Sequence, residues 1–284
     1  MKKSISSSVS LVLFLGFLFA NISTYGQEER QEVQFQVVDD PDGTPRDTTI
    51  VYKQKYGLRV GVDISRPLTS FFRDRYTGLE LVGDYRLSEN LFVAAELGNE
   101  KLSQTESLRV ASPDNPDQIV DLDLYDYTTS GSYIKLGVDY NTYGNWFGEQ
   151  NFITIGGRYA FASFSQTLNS FSLYETDQYF NPNTFSGGSD QPQEFSGLTA
   201  SWLELVVGYK FEAFNNIYMG MSARLGFLVS NSESDVFPNL WIPGFNKVTD
   251  NSRWGVGYNY SISYFLPLYK KARKKREPAL TENP

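Results

Sequence analysis

The sequence contains neither cysteine nor histidine. Without cysteine, an exported chain has no disulfide staples and no lipoprotein anchor. Without either residue it lacks the nucleophile–base pairs and histidine-based metal sites on which barrel hydrolases such as outer-membrane proteases, phospholipases and deacylases depend. Ser-Lys or carboxylate-only chemistry survives that exclusion, but no local motif supports it. We therefore expect no enzyme, no catalytic residues, no metal and no cofactor. Positive charge is also short, with 25 Lys and Arg against 33 Asp and Glu and a net charge of −8, which argues against nucleic acid as a partner because phosphate binding needs a basic footprint. Finally, no run beyond the N-terminus approaches the roughly 18 apolar residues of a membrane-spanning helix.

What is present begins with an export signal. Lys2 and Lys3 form a charged start, Val9 to Ala20 an apolar stretch of twelve, and Thr24-Tyr25-Gly26 a small-residue cleavage region. Residues 1–26 are expected to be a signal peptide cut near Gln27. Residues 27–54 are acidic and carry a turn signal, Asp40-Pro-Asp-Gly-Thr-Pro45, so we expect a flexible periplasmic segment there.

Between residues 55 and 269 the dominant signal is strict alternation, the period of a strand with one apolar face. In the last such stretch Trp254, Val256, Tyr258, Tyr260, Ile262, Tyr264 and Leu266 oppose Gly255, Gly257, Asn259, Ser261 and Ser263. Seven earlier stretches follow the same rule, centred on Val60, Leu81, Val93, Leu136, Ile155, Leu205 and Met221. Their connections alternate in length. Leu87–Asn90, about ten residues around Asn145, and Ala213–Asn216 are short, whereas 67–77, 104–124, 166–197 and 231–251 are long and polar. Short periplasmic turns and longer outside loops are the pattern of outer-membrane barrels. The expected fold is all-β: an eight-stranded antiparallel up-and-down transmembrane β-barrel, with both ends of the chain in the periplasm. Aromatics make up 15% of the chain, enough for belts at two membrane interfaces. A mean hydropathy of −0.36 is compatible with this, since half of each barrel strand is polar.

Alternation alone does not say which face is inside, and a soluble lipocalin-like barrel would invert the assignment. Side-chain volume favours apolar residues outside, because the interior of eight strands is only just wide enough for side chains to fill. Too many of the apolar residues are Tyr, Phe, Trp or Met to fit there. The opposite face carries Gly61, Gly98, Gly137, Gly156, Gly208, Gly220, Gly226, Gly255 and Gly257. It also carries Arg59, Asp63, Glu80, Asp84, Arg86, Glu96, Glu100, Lys135, Asp139, Arg158, Glu204, Lys210 and Arg224. Six cations and seven anions can pair, as buried charges require. The expected result is a structural ionic network closing the lumen; a conducting path is the alternative.

Three long connections hold further candidates. Asp114, Asp117, Asp121, Asp123 and Asp126 make one acidic, without the Gly and Glu of a Ca²⁺-binding EF-hand, so a solvated loop is expected. Phe171, Tyr174, Tyr179, Phe180 and Phe185 lie among Ser, Asn and Gln in the next, a composition suited to glycan or peptide contact or to packing. The stretch from Asn239 to Lys247 is apolar enough to cap a barrel mouth. Beyond the last strand, Lys270 to Arg276 opens a basic tail, 270–284, which fits a solvated periplasmic flank or a contact with anionic headgroups.

Arg253, Gly255, Tyr258 and Tyr260 are similar to the signal read by the barrel assembly machinery, although they lie well before the C-terminus. The runs YGLRVGVDISRP, GLELVGDYRLSENLFVAAELG, GSYIKLGVDYN, FSQTLNSF and IPGFNKVTDNSRWGVGYNYSISYFLP resemble an uncharacterised outer-membrane β-barrel family of Bacteroidetes, over roughly residues 50 to 270. The resemblance implies an outer-membrane address and a small barrel, and no activity, because the family is one of unknown function. The partners expected are outer-membrane lipid, the assembly machinery during insertion, and a surface or periplasmic partner for a monomer with an envelope-structural or surface-contact role. Binding of an outer-membrane lipid or other apolar ligand at the lipid face is a further alternative.

Overall fold

The computed structural model describes residues 53–111, 117–143, 151–175, 184–234, 236–248 and 252–272. The chain runs β1 (Lys53–Asp63), α1 (Ser65–Phe72), β2 (Tyr76–Arg86), β3 (Leu91–Ala111), β4 (Ile119–Asn141), β5 (Phe152–Glu175), β6 (Thr184–Ser189), β7 (Gln193–Phe214), β8 (Ile217–Asn231), β9 (Trp241–Ile242), β10 (Asn246–Lys247) and β11 (Trp254–Ala272). All pairings are antiparallel. The main sheet has nine strands in the order β4-β3-β2-β1-β11-β8-β7-β5-β6, and a further β4–β5 pairing closes it into a ring. The strand beyond the eight expected is β6, which pairs only with the far end of β5. No helix among the described residues is long and apolar enough to cross a membrane, which says nothing of crossing by strands.

The stagger of the ring can be read from its register. Starting at Val60, the pairing leads through Gly83, Ala95, Leu136, Tyr159, Leu203 and Phe227 to Trp254, ten residues along β11 from Tyr264, the partner of Val60. With about 3.3 Å per residue and 4.8 Å between strands, that offset tilts the strands by about 40° to the ring axis.

Orientation of the two faces follows the alternation. Leu58, Val60, Leu81, Leu97, Leu136, Ile155, Leu205, Met221, Tyr260 and Ile262 are exposed on the outside, while Arg59, Glu80, Glu96, Lys135 and Glu204 are buried inside. Some interior glycines are required by contact. A Cβ on Gly61 would lie 2.2 Å from the carbonyl oxygen of Ile262 and 2.6 Å from Cα of Ser263, both backbone atoms of the neighbouring strand.

Several segments differ from the sequence expectation. The regions 104–124 and 166–197, expected as loops, are largely strand: β3, β4, β5 and β7 run on to 21–24 residues, far past the 11 of β1 and β2. They form a crest above one side of the ring. Alternation is weak there because Ser, Thr and Asp hold the ladder through side-chain hydrogen bonds, such as Ser107 Oγ to Asp123 at 2.7 Å, and bulges at Glu106/Ser107 and Asp126/Tyr127 reset the register. Asp121, Asp123 and Asp126 therefore sit on β4, while Asp114, Tyr179 and Phe180 lie outside the described residues. The connection expected over 67–77 is largely α1, which already begins at Ser65. The sheet begins at Lys53 and ends at Ala272, overlapping slightly the segments 27–54 and 270–284 that were expected to flank it. The remainder of both flanks, and the expected signal peptide, lie outside the described residues.

Candidate functional site in the ring interior

Apart from Lys210 and Arg224, which are half-buried, the thirteen interior ionisable residues named from the sequence are buried. They form tiers. Nearest the long connections, Glu80 accepts from Asn259 Nδ2 at 2.9 Å and from the Tyr133 hydroxyl, and Glu100 accepts from the Gly244 amide at 3.0 Å. Asp63 accepts from the Ser65 amide and hydroxyl at 2.8 and 2.7 Å, tying the end of β1 to the start of α1.

Below them, Lys135 Nζ lies 2.9 Å from Glu204 and donates to the Gly244 carbonyl at 3.1 Å, while Trp202 Nε1 donates to Glu204 at 2.7 Å. Arg224 bridges Glu96 and Glu204 at 3.1 and 3.3 Å. Arg158 bridges Glu96 and Asp139 at 3.4 and 2.8 Å. Deeper still, Asp84 is shared by Arg59 and Lys210, each at 2.7 Å.

Sequence reasoning missed one cation. Arg66 enters from α1 and reaches Glu100 at 2.8 Å, Asp63 at 3.5 Å and Glu80 at 3.8 Å. It escaped notice because it lies past the end of β1, off the alternation. With Arg66 the interior holds seven cations (Arg59, Arg66, Arg86, Lys135, Arg158, Lys210, Arg224) and seven anions (Asp63, Glu80, Asp84, Glu96, Glu100, Asp139, Glu204). Equal numbers matter in a site of low polarisability, where a surplus charge has no solvent to stabilise it.

Both ends of this charged column are plugged by apolar groups. At the short-turn end Phe92, Phe152, Tyr218 and Phe265 form a buried cluster. Arg59 lies over the rings of Phe152, Phe92 and Tyr218 at 4.6, 4.9 and 5.2 Å. Arg86 lies 4.9 Å from the Tyr56 ring and donates to the carbonyls of Glu89, Lys55 and Ser88 at 2.7, 3.1 and 3.2 Å. At the long-connection end the stretch from Asn239 to Lys247 folds inward as a small β9–β10 hairpin. Ile242 and Phe245 pack with Tyr133, Trp202 and Leu228, and Trp241 packs with Tyr76, Leu102 and Tyr127. Gly244, at φ 79°, presents its peptide groups to Glu100 and Lys135.

Between the plugs a cavity of about 40 Å³ remains, lined by Arg59, Asp84, Glu96, Asp139, Arg158, Lys210 and Arg224 with Thr154, Ser222 and Ser261. That is room for about three waters. Every one of the seven carboxylates is bound by cations or other donors, which leaves the arrangement suited to holding charge rather than transferring it. Among the described residues no group of three or more Asp, Glu, His or Cys side chains is placed to hold a metal ion.

The remaining sequence candidates lie elsewhere. Tyr258 and Tyr260 are exposed on the outer face with ring centroids 5.8 Å apart, Arg253 is exposed, and Gly255 faces inward, where a Cβ would meet the Phe245 ring at 2.8 Å. Phe171 pairs with Ser189 and, by backbone register, Tyr174 with Phe185.

Over residues 4–271 the sequence matches the model of a domain of unknown function, DUF6048. The chain belongs to that family. Neither a curated protein nor a solved structure gives a match. Residues 4–271 contain every interior charge described above and both plugs, so the family match takes in nearly the whole ring together with the chain before it.

Proposed function

We propose that this protein is an exported outer-membrane β-barrel of eight closed strands whose lumen is sealed, and that it serves the cell envelope as a structural or surface-contact element. One observation carries the reading: the ring is inside out for a soluble protein, with paired charges within and large apolar side chains without. At a 40° tilt each residue rises about 2.5 Å along the axis and each step between strands about 3 Å. On that scale the outward apolar residues Leu79, Leu97, Ile134, Phe161, Leu203, Phe227 and Val256 fall within about 8 Å of one level, and Val229 and Trp254, also outward and exposed, stand about 5 Å higher on β8 and β11. That level stands about 20 Å above the lowest, such as Leu58, Leu91, Ile153 and Ile217, which suits an apolar band of roughly 25 Å. A level belt round the whole ring is what a bilayer requires and a soluble protein avoids.

Sealing follows from the two plugs, and the crest of β3, β4, β5 and β7 supplies a rigid surface for contact outside the cell. Heat-modifiable migration on unboiled gels, together with recovery in the outer-membrane fraction, is expected; a mature protein that stays in the soluble periplasmic fraction refutes the barrel. In planar bilayers the protein is expected to be silent. Stable ion-selective steps would replace the sealed reading with that of a small channel.

A further inference from the structure

We propose that α1 is a lipid-docking element, with Leu68, Phe71 and Phe72 seated among the acyl chains of the outer leaflet while Arg66, on the same helix, is held by the interior carboxylates. The inference rests on the barrel reading above and adds a partner that the strands alone do not specify.

Its starting point is a gap in the wall. β1 ends at Asp63, where the Ile64 amide donates to the Tyr260 carbonyl at 2.6 Å, but β11 continues upward as far as Trp254. Over Trp254 to Asn259 its neighbour on the β1 side is therefore not a strand. Helix α1 stands in that place, fastened to β2 by the Gly78 amide donating to Ser70 Oγ at 3.0 Å and to the interior by Arg66 and Glu100 at 2.8 Å. Two turns of helix rising from Asp63 occupy about 12 Å, which brings α1 to the level of Leu79, Tyr258 and Val256, the upper third of the apolar belt.

At that level its outward side is strongly apolar. Phe71 is 77% exposed, Phe72 58% and Leu68 48%, and the two Phe rings meet edge to face at 5.3 Å. Beside them on β11, Trp254, Val256 and Tyr258 are 58%, 74% and 61% exposed. The patch is thus continuous with the belt. Arg73, exposed directly after the helix, stands where anionic headgroups begin. Three side chains on eight residues offer far less than the roughly 800 Å² per partner of a stable protein interface. Acyl chains need no such minimum.

Because the chain has no cysteine, single nitroxide labels can be placed cleanly at F71C and F72C, with L81C as a mid-belt reference and E89C on the short-turn side as a water reference. The full chain is reconstituted in phosphatidylcholine–phosphatidylglycerol vesicles, and collisions with oxygen and with a water-soluble nickel chelate are compared. Labels at 71 and 72 are expected to resemble 81, favouring oxygen over nickel several-fold. If 71 and 72 behave like 89 while 81 stays in lipid, α1 is in water and this inference falls with the barrel intact. If 81 also favours nickel, the barrel reading itself falls. Dipolar broadening at 71 or 72 that disappears on dilution with unlabelled protein would assign the patch to a second copy and overturn lipid docking.

Discussion

The guanidinium of Arg66 lies 2.8 Å from Glu100, with Asp63 and Glu80 within 4 Å of the same group. A residue just outside the strands thus bridges three carboxylates inside them. Removing one partner from a buried pair costs about 3–5 kcal/mol, because the other charge stays desolvated. Arg66→Met is therefore expected to lower stability by about that much in urea titrations of the vesicle-bound protein. Arg66→Met combined with Glu100→Gln should cost less than the sum of the single changes. Strict additivity would show that the two groups do not interact.

Gly61 and Gly257 face the same interior yet should tolerate a methyl group very differently. At Gly61 the added Cβ meets backbone of β11 at 2.2 Å, whereas at Gly257 the nearest atoms are Asn246 Nδ2 at 3.7 Å and Arg224 Cβ at 3.8 Å. Backbone cannot rotate aside. Gly61→Ala should lose about 2–3 kcal/mol or fail to reach the compact, heat-modifiable form, while Gly257→Ala stays within about 1 kcal/mol of the parent. Equal behaviour of the two variants on unboiled gels and in urea would contradict the packing.

Phe152 holds the short-turn plug together, 5.3 Å from Phe92, 6.2 Å from Tyr218 and 4.6 Å beneath the Arg59 guanidinium. Phe152→Ala is expected to cost about 3–5 kcal/mol through the cavity it leaves, and Phe152→Leu markedly less. Unfolding midpoints of the two variants in lipid would separate a packed plug from a loose one.

The crest should respond to acid. Partial burial pushes the Asp126 carboxyl up, but hydrogen bonds from Arg75, Thr105 and Asn169, reinforced by the Arg75 charge, outweigh it and hold the group below the ordinary aspartate range. A carboxylate depressed in the folded state adds stability above its unfolded value, about pH 4, and loses it as pH falls through the folded value. Amide exchange in β3 and β4 near Thr105 should therefore speed up below about pH 4 relative to a neighbouring segment of the ring. In Asp126→Asn that acid-dependent change should be largely absent.

How much could be seen in advance depended on whether a residue obeyed the period of two. Leu58, Val60 and Val62 against Arg59, Gly61 and Asp63 fixed one strand and both its faces, and the same rule placed all thirteen interior charges named beforehand. Arg66 obeys no such rule, since the helix that aims it inward is set by the turn after Asp63 and by docking on β2. The crest was hidden for a different reason. Facing residues such as Ser103 and Thr128, joined at 2.8 Å, stabilise strands without burying an apolar face, so nothing in their order distinguishes ladder from loop. Asn259 was legible as an inward position, and Trp202 and Tyr133 share the parity of Glu204 and Lys135, but their roles as donors to Glu204 and Glu80 depend on contacts that no local pattern encodes.

The hairpin around Gly244 also constrains the order of assembly. Glu100 receives the Gly244 amide from 144 residues further along the chain, and Glu80 receives Asn259 from 179 residues further along. A half-built ring holding only β1 to β4 would carry these carboxylates without those donors, in the compartment least able to solvate them. Pairing of such sequence-distant groups is slow and cooperative. On the proposed barrel reading, insertion one hairpin at a time would leave Glu80 and Glu100 short of these donors until β9 to β11 arrive, so ring closure and seating of the plug are expected to be coupled.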